Sequence, residues 1–438
     1  MLSRRARSRR GPSTFASLRT PNYRIYAGGA LVSNIGTWLQ RIAQDWLILA
    51  LTGSGTMLGI CTGLQLLPSL LLTPWAGAIA DRWPRRRILR YTQIAMALPS
   101  LVLGTMAVTG RAETWHVLVL VVVFGTAAAV DAPARQSFAT ELVAPHHIAN
   151  AVALNSASMH SARLIGPAIA GLLIAALGGG IRATGWVIVI NAASYGAMLA
   201  ALWAIDPARL HRSGPLSQGQ RAGVREGLDY VRSRPDLLFL LGCALVVGVA
   251  GQAFQTLSPL MVTEVYQLGP KEYGMAATAA AIGSLAGALA VARFGGLRLG
   301  GVAAAGFAFG VLQIIAALMP GYLAFVLVLP FLGLSSLAMI TAANATIQTT
   351  SEPRMRGRAV AAFLMVLMGG APIGAPVLGW LAEETDPRIA MLAGGSLTLA
   401  IMALATAGYA RSRAQPPERS LDLHRDPPPH PPTRKDPR

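Results

Sequence analysis

The chain has 438 residues, of which 53% are hydrophobic and only 13% charged. A soluble protein carries about 25% charged residues, so most of this chain belongs in lipid. The formal net charge of +18 lies in short clusters between apolar runs rather than on one domain, which excludes a nucleic-acid-binding module and fits a membrane topology.

A spanning helix needs about 20 mostly apolar residues. Twelve such stretches are predicted, at 24–50, 57–80, 88–109, 115–133, 150–177, 184–204, 236–262, 272–293, 299–318, 321–345, 358–381 and 388–410. They group into a bundle over 24–204 and a second over 236–410, with a basic segment at 1–23, a linker at 205–235 and a tail at 411–438. The basic start lacks an apolar core ending in a cleavage site, so no signal peptide is expected. Phe15 and Leu18, beside Arg19, are placed to dock on the membrane surface before the first span.

The first span carries Asn34, Trp38, Arg41 and Asp45 at i, i+4, i+7 and i+11. That spacing makes one polar face, which must turn from lipid towards a cavity or another helix. Arg41 and Asp45 are candidates to pair with each other. Substrate contact or proton coupling is one reading of this face, and a structural ion pair is the other. Gly55, Gly59 and Gly63 open the second span, and Gly283 and Gly287 repeat the spacing in the eighth; small residues four apart let helices approach closely.

The second span runs into GAIADRWPRRRIL at 77–89. Gly77 and Asp81 share a helix face, and Arg82, Arg85, Arg86 and Arg87 follow. A carboxylate at a helix end beside several guanidiniums can hold two helices together and still exchange partners, as a moving gate requires. Asp131 and Arg135 lie one turn apart at the end of the fourth span, which makes a local pair the main rival to any longer-range partner for Arg135. The fifth carries Asn155, Met159 and Arg163 on one face, followed by Gly166, Pro167 and Gly171. Proline bends a helix, and the glycines invite a close neighbour.

In the linker, Val224, Leu228 and Val231 fall at helical spacing among Arg221, Arg225 and Arg232. This reads either as a helix lying on the inner membrane surface or as a plain linker. Gln252 and Gln255 share a face of the seventh span, and Glu264 sits at its outer end. The Pro-rich tail is expected to be disordered. Cys61 and Cys243 lie inside apolar runs and suggest neither a disulfide framework nor a metal site. No GxxxxGK[ST], HExxH, CxxC or nucleophile elbow occurs, so no nucleotide site or hydrolytic centre is expected.

The halves repeat. IGPAIAGLL at 165–173 aligns with IGAPVLGWL at 373–381, and ANAVA at 149–153 with GRAVA at 357–361, both at an offset of 208. GAIA at 77–80 meets GALA at 287–290, and AGGALV at 27–32 meets LGCALV at 241–246. In the second copy Val291 stands where Asp81 stands in the first, so the gate carboxylate is present in one half only. Arginine is concentrated in the N-terminal segment, the 81–90 and 351–358 loops, the linker and the tail, which puts both ends in the cytoplasm.

The 77–89 stretch resembles motif A of the major facilitator superfamily, the GxxxDRxGRR loop between helices 2 and 3. Gly77, Asp81, Arg82, Arg85 and Arg86 match it, and Pro84 stands where the family has Gly. The fifth span resembles motif C of the exporter branch, GxxxGPxxGG, with Gly166, Pro167 and Gly171 matching and Ala162 and Ala170 in place of two glycines. PNYRIYAGGALVSNIGTWLQRIAQDWLILALTGSG at 21–55 and DAPARQSFATELV at 131–143 are similar to the bacterial transmembrane secretion effectors. That group includes enterobactin-exporter-like and macrolide-efflux-like proteins.

The resemblance implies an all-α polytopic membrane protein of twelve helices in two pseudo-symmetric six-helix bundles, with a substrate site near the midplane between them. It implies a transporter rather than an enzyme, free of metal and cofactor and driven by the proton gradient. As such it would be a monomer in the bacterial cytoplasmic membrane whose partners are lipid and a small-molecule substrate. The expected activity is export of small, bulky or amphipathic molecules (siderophores, natural products or drugs) by alternating access and proton antiport. An importer or proton symporter of the same fold is the alternative, and a non-transporting sensor or scaffold ranks last. By resemblance, Arg135 is the helix-4 arginine that latches to Asp81. Asp45 is the first candidate for the protonated group and Glu264 the second.

Overall fold

The computed structural model describes residues 15–211, 229–293, 297–352 and 354–414; the side chains at 73–74, 76–82, 252–253 and 414 lie outside that description. The regular structure of the described residues is helical. The long helices are α1 (Pro21–Thr52), α2 (Gly55–Arg82), α3 (Arg85–Val108), α4 (Thr114–Glu141), α5 (Ile148–Ala176) and α6 (Gly180–Ala204) in the first half. In the second half they are α7 (Pro235–Val265), α8 (Pro270–Arg293), α9 (Leu299–Leu318), α10 (Tyr322–Thr350), α11 (Arg356–Glu384) and α12 (Pro387–Ala414).

Eleven of these are long and apolar enough to cross a membrane. The twelfth, α1, has the length at 32 residues but carries Asn22, Asn34, Gln40, Gln44, Arg41 and Asp45. It tolerates them because Asn22, Asn34, Gln40 and Gln44 are buried against protein, not lipid. Satisfying polar groups internally is the condition for placing them at membrane depth.

The two halves repeat the same packing. In the first, α1 lies on α5 and α6, α2 on α4, and α3 on α4 and α6; in the second, α7 lies on α11 and α12, α8 on α10, and α9 on α10 and α12. The contacts between halves are symmetry mates as well: α2 crosses α11, and α8 crosses α5. The short turn from α5 to α6 is made by Gly178, Gly179 and Gly180, all at positive φ, a conformation that costs glycine little. Prolines sit inside α3, α4, α5 and α10 at Pro99, Pro133, Pro167 and Pro330. In α7 two π-helical segments, Val247–Gly251 and Met261–Val265, flank Gln252–Leu260. A bulge of this kind swings a helix face locally, and here α11 packs closely, with Gly374 meeting the Val249 carbonyl.

Several boundaries differ from those expected. α4 continues to Glu141, eight residues past the predicted end at 133, because its polar last turns pack inside the first bundle, where Asp131, Arg135 and Glu141 are buried. α10 runs on to Thr350, and α12 to Ala414, so Arg411 and Arg413 belong to a helix and not to the tail. Of the N-terminal docking pair, Leu18 packs on the first bundle, whereas Phe15 is 63% exposed. Arg221, Val224, Arg225 and Leu228 lie outside the described residues, as does the tail from 415. Val231 is described and buried.

Candidate functional site

A cleft opens where the halves meet, between α1, α5, α7 and α8. α1 supplies Trp38, Arg41 and Asp45, α5 supplies Arg163, α7 supplies Gln255, and α8 supplies Tyr273. Its volume is about 70 Å³, space for a few waters. The polar stripe of α1 therefore does reach the interface between halves, with one exception. Asn34 turns into the first bundle, where its side chain donates to Ser158 Oγ at 3.3 Å and accepts from Arg135 at 3.2 Å. Asn155 also stays in that bundle, accepting from Tyr26 Oη at 3.5 Å.

Arg41 and Asp45 do not form an ion pair. Asp45 instead accepts a hydrogen bond from Tyr273 Oη at 2.9 Å, joining α1 to α8 across the two halves. The Arg41 guanidinium lies 5.6 Å from the centre of the Trp38 ring, and that of Arg163 lies 5.3 Å from the same ring. Trp38 is itself seated by Gly166, where an added Cβ would meet the Trp38 Cβ at 2.6 Å. Pro167 and Gly171 of the same motif make the crossing with α8. A Cβ on Gly274 would stand 2.5 Å from the Pro167 carbonyl oxygen, and one on Gly171 would stand 2.6 Å from that of Pro270. The motif thus brings two helix backbones into direct contact across the halves.

The glycine run of α2 does the same at the symmetry-related crossing. Gly55 and Gly59 face the backbone of Gly379 and Ala375 in α11. Beside them, Glu383 accepts from Ser54 Oγ at 2.6 Å and from the Thr56 amide at 2.9 Å. Both crossings, with the Asp45–Tyr273 bond, seal the halves on the side away from the chain ends. Gly283 and Gly287, by contrast, pack against Pro330 and Leu334 of α10 within one half. Glu264 is exposed at the end of α7 and does not line the cleft.

The arginine cluster sits on the other side. The side chains of Gly77, Asp81 and Arg82 lie outside the described residues, and so does that of Gln252. Pro84 caps α3. Arg85 pairs with Glu141, at the end of α4. Arg86 donates to the Leu202 carbonyl at 2.7 Å and the Trp203 carbonyl at 3.2 Å, supplying positive charge where the last carbonyls of α6 are free. Arg135 is engaged by Asp131 at 2.9 Å, while Asp131 also accepts from Thr92 at 2.7 Å and Gln93 at 2.9 Å. In this conformation the helix-4 arginine is therefore held by its neighbour one turn away. Tyr273 and Glu141 are the partners that sequence reasoning missed. Tyr273 lies 228 residues from Asp45, and no local pattern joins them.

The chain matches the family model described as transmembrane secretion effector over residues 12–428. It is 28% identical to the multidrug efflux pump Tap of Mycolicibacterium fortuitum, over 83% of this chain and 90% of that protein. It is 26% identical to the staphyloferrin A transporter of Staphylococcus aureus (strain NCTC 8325 / PS 47), a match that spans 57% of this chain and 62% of that protein. Among solved structures, a bacterial homolog to the human lysosomal transporter Spinster, in an inward-facing and unoccupied conformation, superposes with a TM-score of 0.69. The superposition covers 92% of this chain and 98% of that one at 18% identity. The chain belongs to the transmembrane secretion effectors, a family of major facilitator superfamily transporters.

Proposed function

We propose that this protein is a secondary exporter of small, bulky or amphipathic molecules, working by alternating access in the bacterial cytoplasmic membrane with both chain ends in the cytoplasm. The observation that carries this reading is the pair of symmetry-related crossings, α2 on α11 and α5 on α8, beside a charged cleft at the junction of the halves. Two rigid bundles that touch backbone to backbone on one face can rock about the site between them. On this orientation the sealed face is the outer one, and the cleft loads from the cytoplasm.

The proton gradient supplies the driving force. Asp45 is the group that exchanges the proton, because its carboxylate is bonded across the halves by Tyr273. Neutralising it weakens a charge-assisted hydrogen bond and so biases the two conformations. Glu264 is the second candidate, at the outer end of α7. In the other conformation Arg135 leaves Asp131 and meets Asp81, closing the inner face.

Mass spectrometry of medium and cell contents, with the gene present and deleted in its host at low and high iron, tests direction and substrate together. An exporter leaves a compound retained in the mutant cells and missing from the medium; iron dependence marks it as a siderophore. A medium compound that only the wild type consumes would make this protein an importer and overturn the reading.

A further inference from the structure

Among the described residues the two arginines of the cleft form no ion pair. Arg41 and Arg163 come from different helices, line one cleft and share one aromatic ring, Trp38. Among the described residues neither makes a hydrogen bond or an ion pair. The nearest carboxylate, Asp45, is bonded to Tyr273. With Asp45 ionised the cleft still carries one net positive charge, and the two guanidiniums repel each other. Charges at membrane depth are expensive and are normally matched. Two guanidiniums that share one carboxylate, next to open space and on an indole that fixes their position, are arranged for a ligand that brings the missing negative charge.

We propose that the transported molecule carries a carboxylate or another anionic group and that this group binds between Arg41 and Arg163. This deepens the export reading by naming the substrate class, and it rests on the cleft being the substrate site. Guanidinium is suited to the role, since its planar fork holds a carboxylate through two parallel hydrogen bonds. Trp38, Phe254 and Tyr273 around the same cleft would flank the apolar or aromatic body of the ligand, and the cleft, about 70 Å³ in this conformation, would have to widen along the Ala277, Ala280 and Ala281 wall of α8 to take it.

The test is equilibrium dialysis of the purified full chain in phosphatidylcholine nanodiscs, blanked against protein-free discs, with three probes on one ring system: a coumarin carboxylate, its neutral carboxamide and a cationic aminoalkyl coumarin. The carboxylate is expected to bind saturably and about tenfold or more tighter than the amide, the range of one charged hydrogen-bond partner, with the cation weakest. Arg163→Gln and Arg41→Gln should each abolish the preference, and Arg163→Lys should keep it in part. Arg163→Gln should also leave the thermal midpoint of the empty protein unchanged or raised, because it relieves repulsion; a merely structural arginine would lower it. Preference for the cation, equal binding of the three probes, no saturable binding of the carboxylate, or a preference that survives both Arg→Gln variants would overturn the proposal. Binding is read without reference to direction, so an importer would give the same result, and failure here is separable from failure of the export reading.

Discussion

Gly274→Ala should unseal one face of the transporter. In the described conformation a Cβ on this residue stands 2.5 Å from the Pro167 carbonyl oxygen and 3.0 Å from the Gly171 Cα. A relaxed carbon–oxygen contact needs about 3.4 Å, so α5 and α8 would have to part by close to an ångström. Backbone atoms give way less easily than side-chain ends, and overpacking of this kind costs about 1–3 kcal/mol. That cost falls only on the conformation in which the two helices touch. At about 1.4 kcal/mol per factor of ten, the sealed population should drop about five- to hundredfold relative to the open one. Pulsed EPR between spin labels at Leu177→Cys and Lys271→Cys, in a background lacking Cys61 and Cys243, reads the distance across this crossing. The prediction is a shift of the distribution to longer values in Gly274→Ala, with Gly28→Ala as control, since a Cβ at Gly28 has no neighbour within 4 Å. An unchanged distribution would refute the argument that this contact holds the halves together.

Other expectations follow from the same geometry. Tyr273→Phe removes the only described donor to Asp45 and should weaken the sealed state by about 1.5–3 kcal/mol, the worth of a hydrogen bond to a charged group; the same EPR pair should lengthen, and less so in an Asp45→Asn background. Asp131→Asn strands the buried Arg135 guanidinium and should cost about 3–5 kcal/mol of stability, seen as an earlier unfolding midpoint. Glu383→Gln affects an exposed anchor for Ser54 and Thr56, and its effect on the EPR distances should be about 1 kcal/mol or less.

Much of the architecture is legible in the sequence because lipid imposes a coarse rule. Any stretch of about 20 apolar residues must become a helix, and the predicted spans fall on α1 to α12. The glycine runs of α2 and α5 signalled close helix contacts correctly, since nothing else makes four-residue spacing of small residues useful. The i, i+4 spacing also offered Asp131–Arg135 as the rival to an Asp81 latch, and in this conformation it is the rival that forms. What it did not find are partners from distant helices. Asp45 faces Arg41 in sequence but bonds Tyr273 in space, because the α5–α8 crossing brings α8 and its phenol beside α1. Asn34 shares a face with Trp38, yet the two point into different compartments: a helix face about 100° wide can border both a bundle interior and the cleft beside it. The predicted end of the fourth span at 133 falls short of Glu141 because the polar end of α4 has its partners, Thr92, Gln93 and Arg85, on another helix.

Direction is the central claim, and everted membrane vesicles read it most directly. Vesicles from cells with and without the protein would be energised, given a small-molecule extract of the host, and their lumen analysed by mass spectrometry. A compound should accumulate only in everted vesicles that contain the protein, a protonophore should abolish the accumulation, and Arg163→Gln should reduce it. Accumulation confined to right-side-out vesicles would contradict the account and make this an importer.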